Sequence, residues 1–117
     1  MNNKVYLEPP VIINTIASYE KITPEQLICT ERKREFIKAK HIAMYCFKQF
    51  TDFSLARIGM FFNGKDHATV LYAIKSVSNQ ADVYKAYRTE LNEILRKLSL
   101  KVEDEYERYK SYETEKV

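Results

Sequence analysis

Apolar residues recur every three or four positions along most of this chain, the spacing of an α-helix that buries one face. The first such stretch begins just past Pro9 and Pro10, and its stripe consists of Ile12, Ile13, Ile16, Ala17 and Tyr19. Thr23-Pro24-Glu25-Gln26 then combines an N-cap hydroxyl, a proline at the first helical position and a glutamine three residues after the cap. The pattern predicts a first helix and a short second helix that ends near Ile28.

A longer helix is predicted from about Arg34 to Phe50. Its apolar face consists of Phe36, Ile37, Ala39, Ile42, Ala43, Cys46, Phe47 and Phe50. Thr51-Asp52 ends it, and Ser54 is placed to cap a fourth helix with apolar positions at Leu55, Ile58, Phe61 and Phe62. We expect this helix to end at Asn63-Gly64, because both residues tolerate the left-handed conformation of a helix C-terminus.

Asp66 stands where a fifth helix needs an N-cap acceptor. The buried stripe of that helix is predicted to be Val70, Leu71, Ile74 and Val77. Two short helices joined by about four residues that include a glycine describe a helix-turn-helix. Such a unit presents the exposed N-terminal residues of its second helix to the major groove of DNA.

One long amphipathic helix is predicted from about Asn79 onward, among dense mixed charge. Its stripe consists of Tyr84, Tyr87, Leu91, Leu95, Leu98, Val102, Tyr106 and Tyr109. The stripe packs against the domain or pairs with a second copy or another protein, and the pattern leaves these alternatives open. The last five residues, 113–117, are expected to fray.

The pattern as a whole predicts an all-α protein. A chain of 117 residues with 45% hydrophobic residues, two glycines and three prolines fits one domain of helices joined by short connections. We divide it into a helix-turn-helix domain at 1–81 and a charged helical extension at 82–117.

The positive charge lies in the first part of the chain. The net charge is only +3, but residues 1–81 hold eleven Lys and Arg against seven Asp and Glu, whereas residues 82–117 hold eight against nine. The densest cluster is Arg32, Lys33, Arg34, Lys38 and Lys40. A short charge run is often only a solvated loop. An arginine beside a recognition helix is also able to enter the minor groove of A·T-rich DNA, where negative potential is concentrated.

Several other classes of protein and site are not indicated. The N-terminus lacks the apolar core of a signal peptide, and no uncharged apolar run approaches the roughly 20 residues that span a bilayer. We therefore expect a cytoplasmic, nucleoid-associated protein without membrane contact. Cys29 and Cys46 have no partner spacing that would indicate a disulfide framework or a metal site. His41 is interpreted as a boundary or phosphate-facing residue rather than a metal ligand.

Catalytic motifs are also weak. Gly59 to Lys65 matches the phosphate-loop pattern G-x-x-x-x-G-K, but Asp66 follows where Ser or Thr should stand, and the intervening residues complete a helix face. His67 would need an orienting partner and a nucleophile to act as a general base, and its neighbours supply neither. We expect no cofactor and no enzymatic activity.

Four segments of the chain resemble a known family. IASYEKITPEQL, ERKREF, HIAMYCFKQFTDFSLARIG and NGKDHATVLYAIKSV, which together run from about Ile12 to Val77, resemble the C-terminal DNA-binding domain (domain IV) of the bacterial chromosomal replication initiator DnaA. The signature of that family reads roughly GGRDHTTVLHA. The resemblance implies a six-helix, Trp-repressor-like fold, here with a long C-terminal helix. It also implies sequence-specific binding of double-stranded DNA at short A·T-rich boxes.

The resemblance also implies roles for individual residues. Arg32 matches the arginine that reads the minor groove, and the remaining positions implied to contact bases are Leu55, Ala56, Asp66, His67 and Ala68. Positions implied to contact or lie near phosphates are Arg34, Lys38, Lys40, Lys65, Thr69 and Tyr72.

The chain departs from the family pattern at several positions. Ala68 replaces a threonine, Tyr72 a histidine and Asn63 a glycine, and Ala39-Lys40-His41 stands where Pro-Arg-Gln is common. No ATPase module precedes the motif, so we expect a stand-alone DNA-binding protein that serves replication initiation or its regulation. Two alternatives stay open: a phage or mobile-element regulator of transcription, and a protein-interaction module that uses the C-terminal helix.

Overall fold

The structure, a computed structural model, describes residues 6–115, with side chains up to residue 108. This part of the chain contains no strand and folds into six helices. They are α1 (Pro9–Glu20), α2 (Pro24–Ile28), α3 (Arg34–Phe50), α4 (Leu55–Met60), α5 (His67–Val83) and α6 (Lys85–Glu115). The prediction of an all-α fold is confirmed.

The helix ends follow local chemistry that is visible in the sequence. α1 begins with two prolines, and α2 begins with a complete capping box between Thr23 and Gln26. At the end of α3 the buried Thr51 hydroxyl donates to the carbonyl of Phe47 at 2.6 Å. The backbone N–H of Thr51 donates to the same carbonyl at 3.0 Å, so two hydrogen bonds close the last turn of α3.

α3 lies at the centre of the fold and packs against α1, α2, α4 and α5. Phe47 on its buried face contacts three other phenylalanine rings, with centroid distances of 5.4 Å to Phe61, 5.5 Å to Phe62 and 6.4 Å to Phe53. Such pairs add to the stabilisation from area burial. The aromatic cluster therefore fixes α4 and the following turn against α3.

The prediction of one uninterrupted helix from Asn79 onward is wrong. α5 continues to Val83, and Tyr84 then adopts an extended conformation with φ −110° and ψ 117° before α6 begins. The Arg88 guanidinium donates to the carbonyl of Ala81 at 2.9 Å and thereby caps the end of α5. No glycine or proline lies at the break, so the sequence gives no local signal for it. The chain turns there so that α6 can fold back over the domain.

α6 packs against α1 and α5, so the middle of its apolar stripe, from Tyr87 to Val102, is used within the chain. Leu91, Ile94 and Leu98 are buried and belong to the same apolar core as α3. Ile94 was not part of the predicted stripe, whereas predicted Tyr84 is 60% exposed. α5 thus passes through the predicted boundary at residues 81 and 82, and both sides contribute to one core. The side chain of Tyr109 and residues 116–117 lie outside the described part.

Candidate nucleic-acid interface

The turn between α4 and α5 is held by close backbone packing. Lys65 N–H donates to the carbonyl of Gly59 at 3.0 Å, so the turn folds back onto α4. A Cβ atom at Gly59 would lie 1.8 Å from the Lys65 carbonyl oxygen, which leaves room for glycine only. Asn63 and Gly64 have φ of 60° and 71°, the left-handed conformation predicted for these two residues.

Asn63 also ties this turn to the end of α2. Its amide nitrogen donates to the carbonyl of Ile28 at 2.9 Å. Among residues with a side chain, asparagine tolerates positive φ comparatively well. The chain therefore keeps the left-handed turn at a position where the resembled family has glycine, and it gains a contact that glycine cannot make.

The first turn of α5 presents polar side chains to solvent. Asp66 Oδ1 accepts a hydrogen bond from the backbone N–H of Thr69 at 2.8 Å, as its predicted capping role requires. Hydrogen bonds from Thr69 lower the pKa of Asp66, and nearby His67 and Lys65 lower it further. Asp66 is therefore ionised at neutral pH. The neighbours His67, Ala68 and Thr69 are all exposed.

Tyr72, one turn further along α5, is exposed and packs against α3. The rings of Tyr72 and His41 pack edge to face, with their centroids 6.2 Å apart. Burial, followed by the charge of Lys40, lowers the pKa of His41. His41 is thus a neutral, half-buried packing residue and offers no positive charge to a phosphate.

The two predicted base-contacting residues of α4 differ in their exposure to solvent. Ala56 is exposed, whereas Leu55 is partly buried and packs against the core. Sequence analysis did not select Arg57, which is exposed and lies over the ring of Phe53 at 4.0 Å. Arg57 could have been selected from the sequence because it follows Ala56 in the first turn of α4, the first helix of the helix-turn-helix.

The basic segment before α3 separates into exposed and internal cations. Arg32, Lys33 and Arg34 are exposed. Lys40 is buried, and its ammonium group donates to the carbonyl of Glu31 at 3.1 Å. This position differs from the expectation that Lys40 faces a phosphate, because the side chain runs under the loop and supports it.

Lys38 lies in a groove between α3, α5 and the start of α6. The groove has a volume of about 590 Å³, and it is lined by Arg32, Arg34, Ile37, Lys38, His41, Ser76, Gln80, Tyr84 and Tyr87. It brings together three predicted DNA-contacting cations with residues of α5 and α6 that sequence analysis did not select. The periodic pattern alone gave no sign that α3 and the junction of α5 with α6 meet here.

A second helix neutralises the charge of Lys38. Its ammonium group forms an ion pair with the carboxylate of Glu90 on α6. Burial acts to raise the pKa of Glu90, but hydrogen bonds from Glu20 and Lys38 outweigh it and lower the pKa. The adjacent Glu20 shows the opposite shift, since burial and its hydrogen bond with Glu90 raise its pKa to about 7.

Other kinds of site find no support in the described residues. They include no group of three or more His, Cys, Asp or Glu side chains arranged to hold a metal ion. None of their helices combines the length and apolar character needed to cross a membrane. Gly59 to Lys65, the near-match to a phosphate loop, forms the end of α4 and the turn rather than a loop after a strand.

Comparison with known proteins gives a consistent result. Residues 9–77 match the family model described as bacterial dnaA protein helix-turn-helix. The chain is similar to the chromosomal replication initiator protein DnaA of Bacteroides fragilis, with 42% identity over 83 residues that cover 71% of this chain and 17% of the relative. It is also similar to the proteins of that name from Thermus thermophilus, at 40% identity over 75 residues (64% and 17%), and Corynebacterium jeikeium, at 32% over 100 residues (86% and 17%). The chain thus spans about a sixth of the length of these relatives.

Proposed function

Because the chain belongs to the bacterial DnaA helix-turn-helix family, we propose that it binds double-stranded DNA sequence-specifically, at short A·T-rich boxes. The role served is replication initiation or its regulation. The observation that carries the proposal is the first turn of α5, where an ionised Asp66 caps the helix and His67 and Ala68 stand in solvent beside it.

The side chains of this turn suit the edges of bases in the major groove. The imidazole of His67 is able to donate to a base acceptor, and the Asp66 carboxylate accepts from the amino group of cytosine or adenine. Ala68 offers a methyl group to a thymine methyl, as does the exposed Ala56 on α4. Leu55, next to Ala56 in the sequence, is partly buried and packs against the core.

The remaining exposed groups suit the DNA backbone and the minor groove. Arg32 precedes α3 in an exposed loop, as a side chain that enters a narrow minor groove requires. Arg34 and Lys65 offer charge to phosphates, and Thr69 and Tyr72 offer hydroxyl groups. The backbone N–H groups at the start of α5 add a further anion-binding element.

A binding titration tests the proposal. Labelled duplexes that carry an initiator box or a scrambled sequence of the same composition are titrated with the intact protein at several salt concentrations. With Lys40 buried and Lys38 paired with Glu90, Arg32, Arg34 and Lys65 remain to neutralise phosphates. About three neutralised phosphates give a slope of log K against log salt of about −2.7. Equal affinity for the two duplexes at moderate salt would contradict sequence-specific binding.

We do not propose a homodimer through α6. Part of the apolar stripe that the sequence offered to a second copy is occupied within the chain, where Leu91 and Leu98 are buried, whereas Tyr84 and Tyr106 are exposed. A role as a protein-interaction module that uses the second half of α6 stays a prediction.

A further inference from the structure

The groove between α3, α5 and α6 brings two exposed arginines and the partly exposed Lys38 together with neutral hydrogen-bonding side chains. Arg32 and Arg34 reach it from the loop and the start of α3, and Lys38 lies one turn beyond Arg34. Gln80 and Tyr84 face them from the other side. A groove with three cationic side chains and neutral hydrogen-bonding groups opposite them is suited to an anion that carries several acceptor oxygens.

One of the three cations already has an anionic partner. The ion pair between Lys38 and Glu90 is partly exposed, with 39% and 20% of the two side chains accessible to solvent. Partly exposed ion pairs of this kind are weak, since water screens the attraction. An anion that also contacts Arg32 and Arg34 is therefore able to replace the Glu90 carboxylate at Lys38.

We propose that this groove binds a backbone phosphate of duplex DNA, and that the Glu90 carboxylate occupies at Lys38 the position that a phosphate oxygen takes in the complex. The proposal rests on the proposed function, since it extends the DNA-contacting surface from the helix-turn-helix onto the start of α6. Glu90 then competes with DNA for Lys38, because the Lys38 ammonium group must leave the Glu90 carboxylate before it can bind a phosphate.

The test compares two substitutions on α6 that remove the same charge. Glu90→Gln removes the partner of Lys38, whereas Glu93→Gln removes a carboxylate that accepts from the hydroxyl of Tyr19 and has no bond to Lys38. At moderate salt E90Q should tighten binding by about fivefold and steepen the log–log salt slope by about 0.9, the value for one further phosphate contact. E93Q should change affinity by less than about twofold.

A double-mutant cycle shows whether Glu90 acts through Lys38. In a Lys38→Gln background, E90Q should no longer change the affinity. Glu90→Asp provides a second variant that keeps the charge but shortens the side chain, so it should also tighten binding by freeing Lys38. Thermal unfolding shows whether each variant is folded. If E90Q does not fold, the comparison is made with E90D.

The outcomes separate this inference from the proposed function. Phosphate contacts carry no sequence information, so E90Q should tighten binding to box and scrambled duplexes by the same factor. If the wild-type protein binds both duplexes equally while E90Q still tightens binding, sequence-specific function fails and the groove survives. An equal gain in E90Q and E93Q, a gain that persists with K38Q, or weaker binding in E90Q would overturn the proposed phosphate site.

Discussion

The first turn of α5 and helix α3 both carry charged residues that the family resemblance implies as DNA contacts, but the fold holds these residues differently. At the turn, Asp66 is held by a backbone N–H, and His67 and Ala68 project into solvent. On α3, Lys38 is neutralised by Glu90 of α6, and Lys40 is buried against the carbonyl group of Glu31 in the preceding loop. A matched position therefore does not by itself make a residue available to a ligand, because the fold uses some of these charges internally.

Removing the close packing that shapes the turn should have the largest effect. In a Gly59→Ala variant the new Cβ meets the Lys65 carbonyl, and we expect a loss of about 3 kcal/mol in the free energy of unfolding. Urea unfolding measures the change. The matched control is Gly64→Ala, which has open space around its Cβ and suffers only from its positive φ, at a cost of about 1 kcal/mol. Equal losses in both variants would show that backbone strain, rather than the close approach, dominates.

The turn itself is probed by His67→Ala. Loss of a base contact should cost roughly 1–3 kcal/mol of binding free energy on the preferred duplex and little on a scrambled one. Because His67 is exposed, its removal should leave thermal stability unchanged. Lys65→Gln is the contrasting variant, since loss of a phosphate contact weakens both duplexes alike. A uniform loss in H67A would remove His67 from the set of base-reading residues.

The contact of Glu20 on α1 with Glu90 on α6 should make the stability of the protein depend on pH. The unfolded chain loses the Glu20 proton near pH 4.5, whereas burial and Glu90 raise the folded-state pKa to about 7. Stability from the protonated carboxyl is thus fully present at low pH and falls as pH rises through 7. For this half-buried group, discounted for solvent screening, we expect a fall of about 1–2 kcal/mol between about pH 5 and 8.

Urea unfolding across that pH range measures the effect, and Glu20→Gln should flatten the profile. Glu35→Gln, on an exposed position of α3, is the control and should retain the wild-type profile. A wild-type protein whose stability rises over the same range would contradict the assigned direction.

The smallest effects should distinguish a cation that stabilises the fold, Lys40, from an exposed cation that is proposed to contact a phosphate, Arg34. Lys40→Gln removes the bond to the Glu31 carbonyl and should cost about 1 kcal/mol of stability with little change in the salt slope of DNA binding. Arg34→Gln should leave stability within about 0.5 kcal/mol and reduce the slope by about 0.9. A reduced slope in K40Q would instead return Lys40 to the phosphate-contacting set.

The parts of this fold that depend on local chemistry were predictable. The capping box at Thr23, the cap at Asp66 and the left-handed Asn63-Gly64 pair each depend on residues within a few positions of one another, and all appear in the structure. The break at Tyr84 was not predictable, because it contains no helix-breaking residue and results from the return of α6 over the core.

The same distinction applies to the candidate site. Exposure of His67 follows from its place beside a helix cap, so the local pattern was enough to find it. The ion pair of Lys38 with Glu90 and the contact of Asn63 with Ile28 join residues far apart in the chain. Their existence depends on how whole helices pack, which helical spacing does not encode.

The cap that Arg88 places on the carbonyl of Ala81 has a practical consequence for the design of shorter fragments. A fragment cut between α5 and α6 would lose this cap together with the buried Leu91, Ile94 and Leu98, and the exposed core would favour aggregation. The smallest unit suitable for crystallisation with DNA should therefore extend past Leu98, even though the recognised family match ends at residue 77.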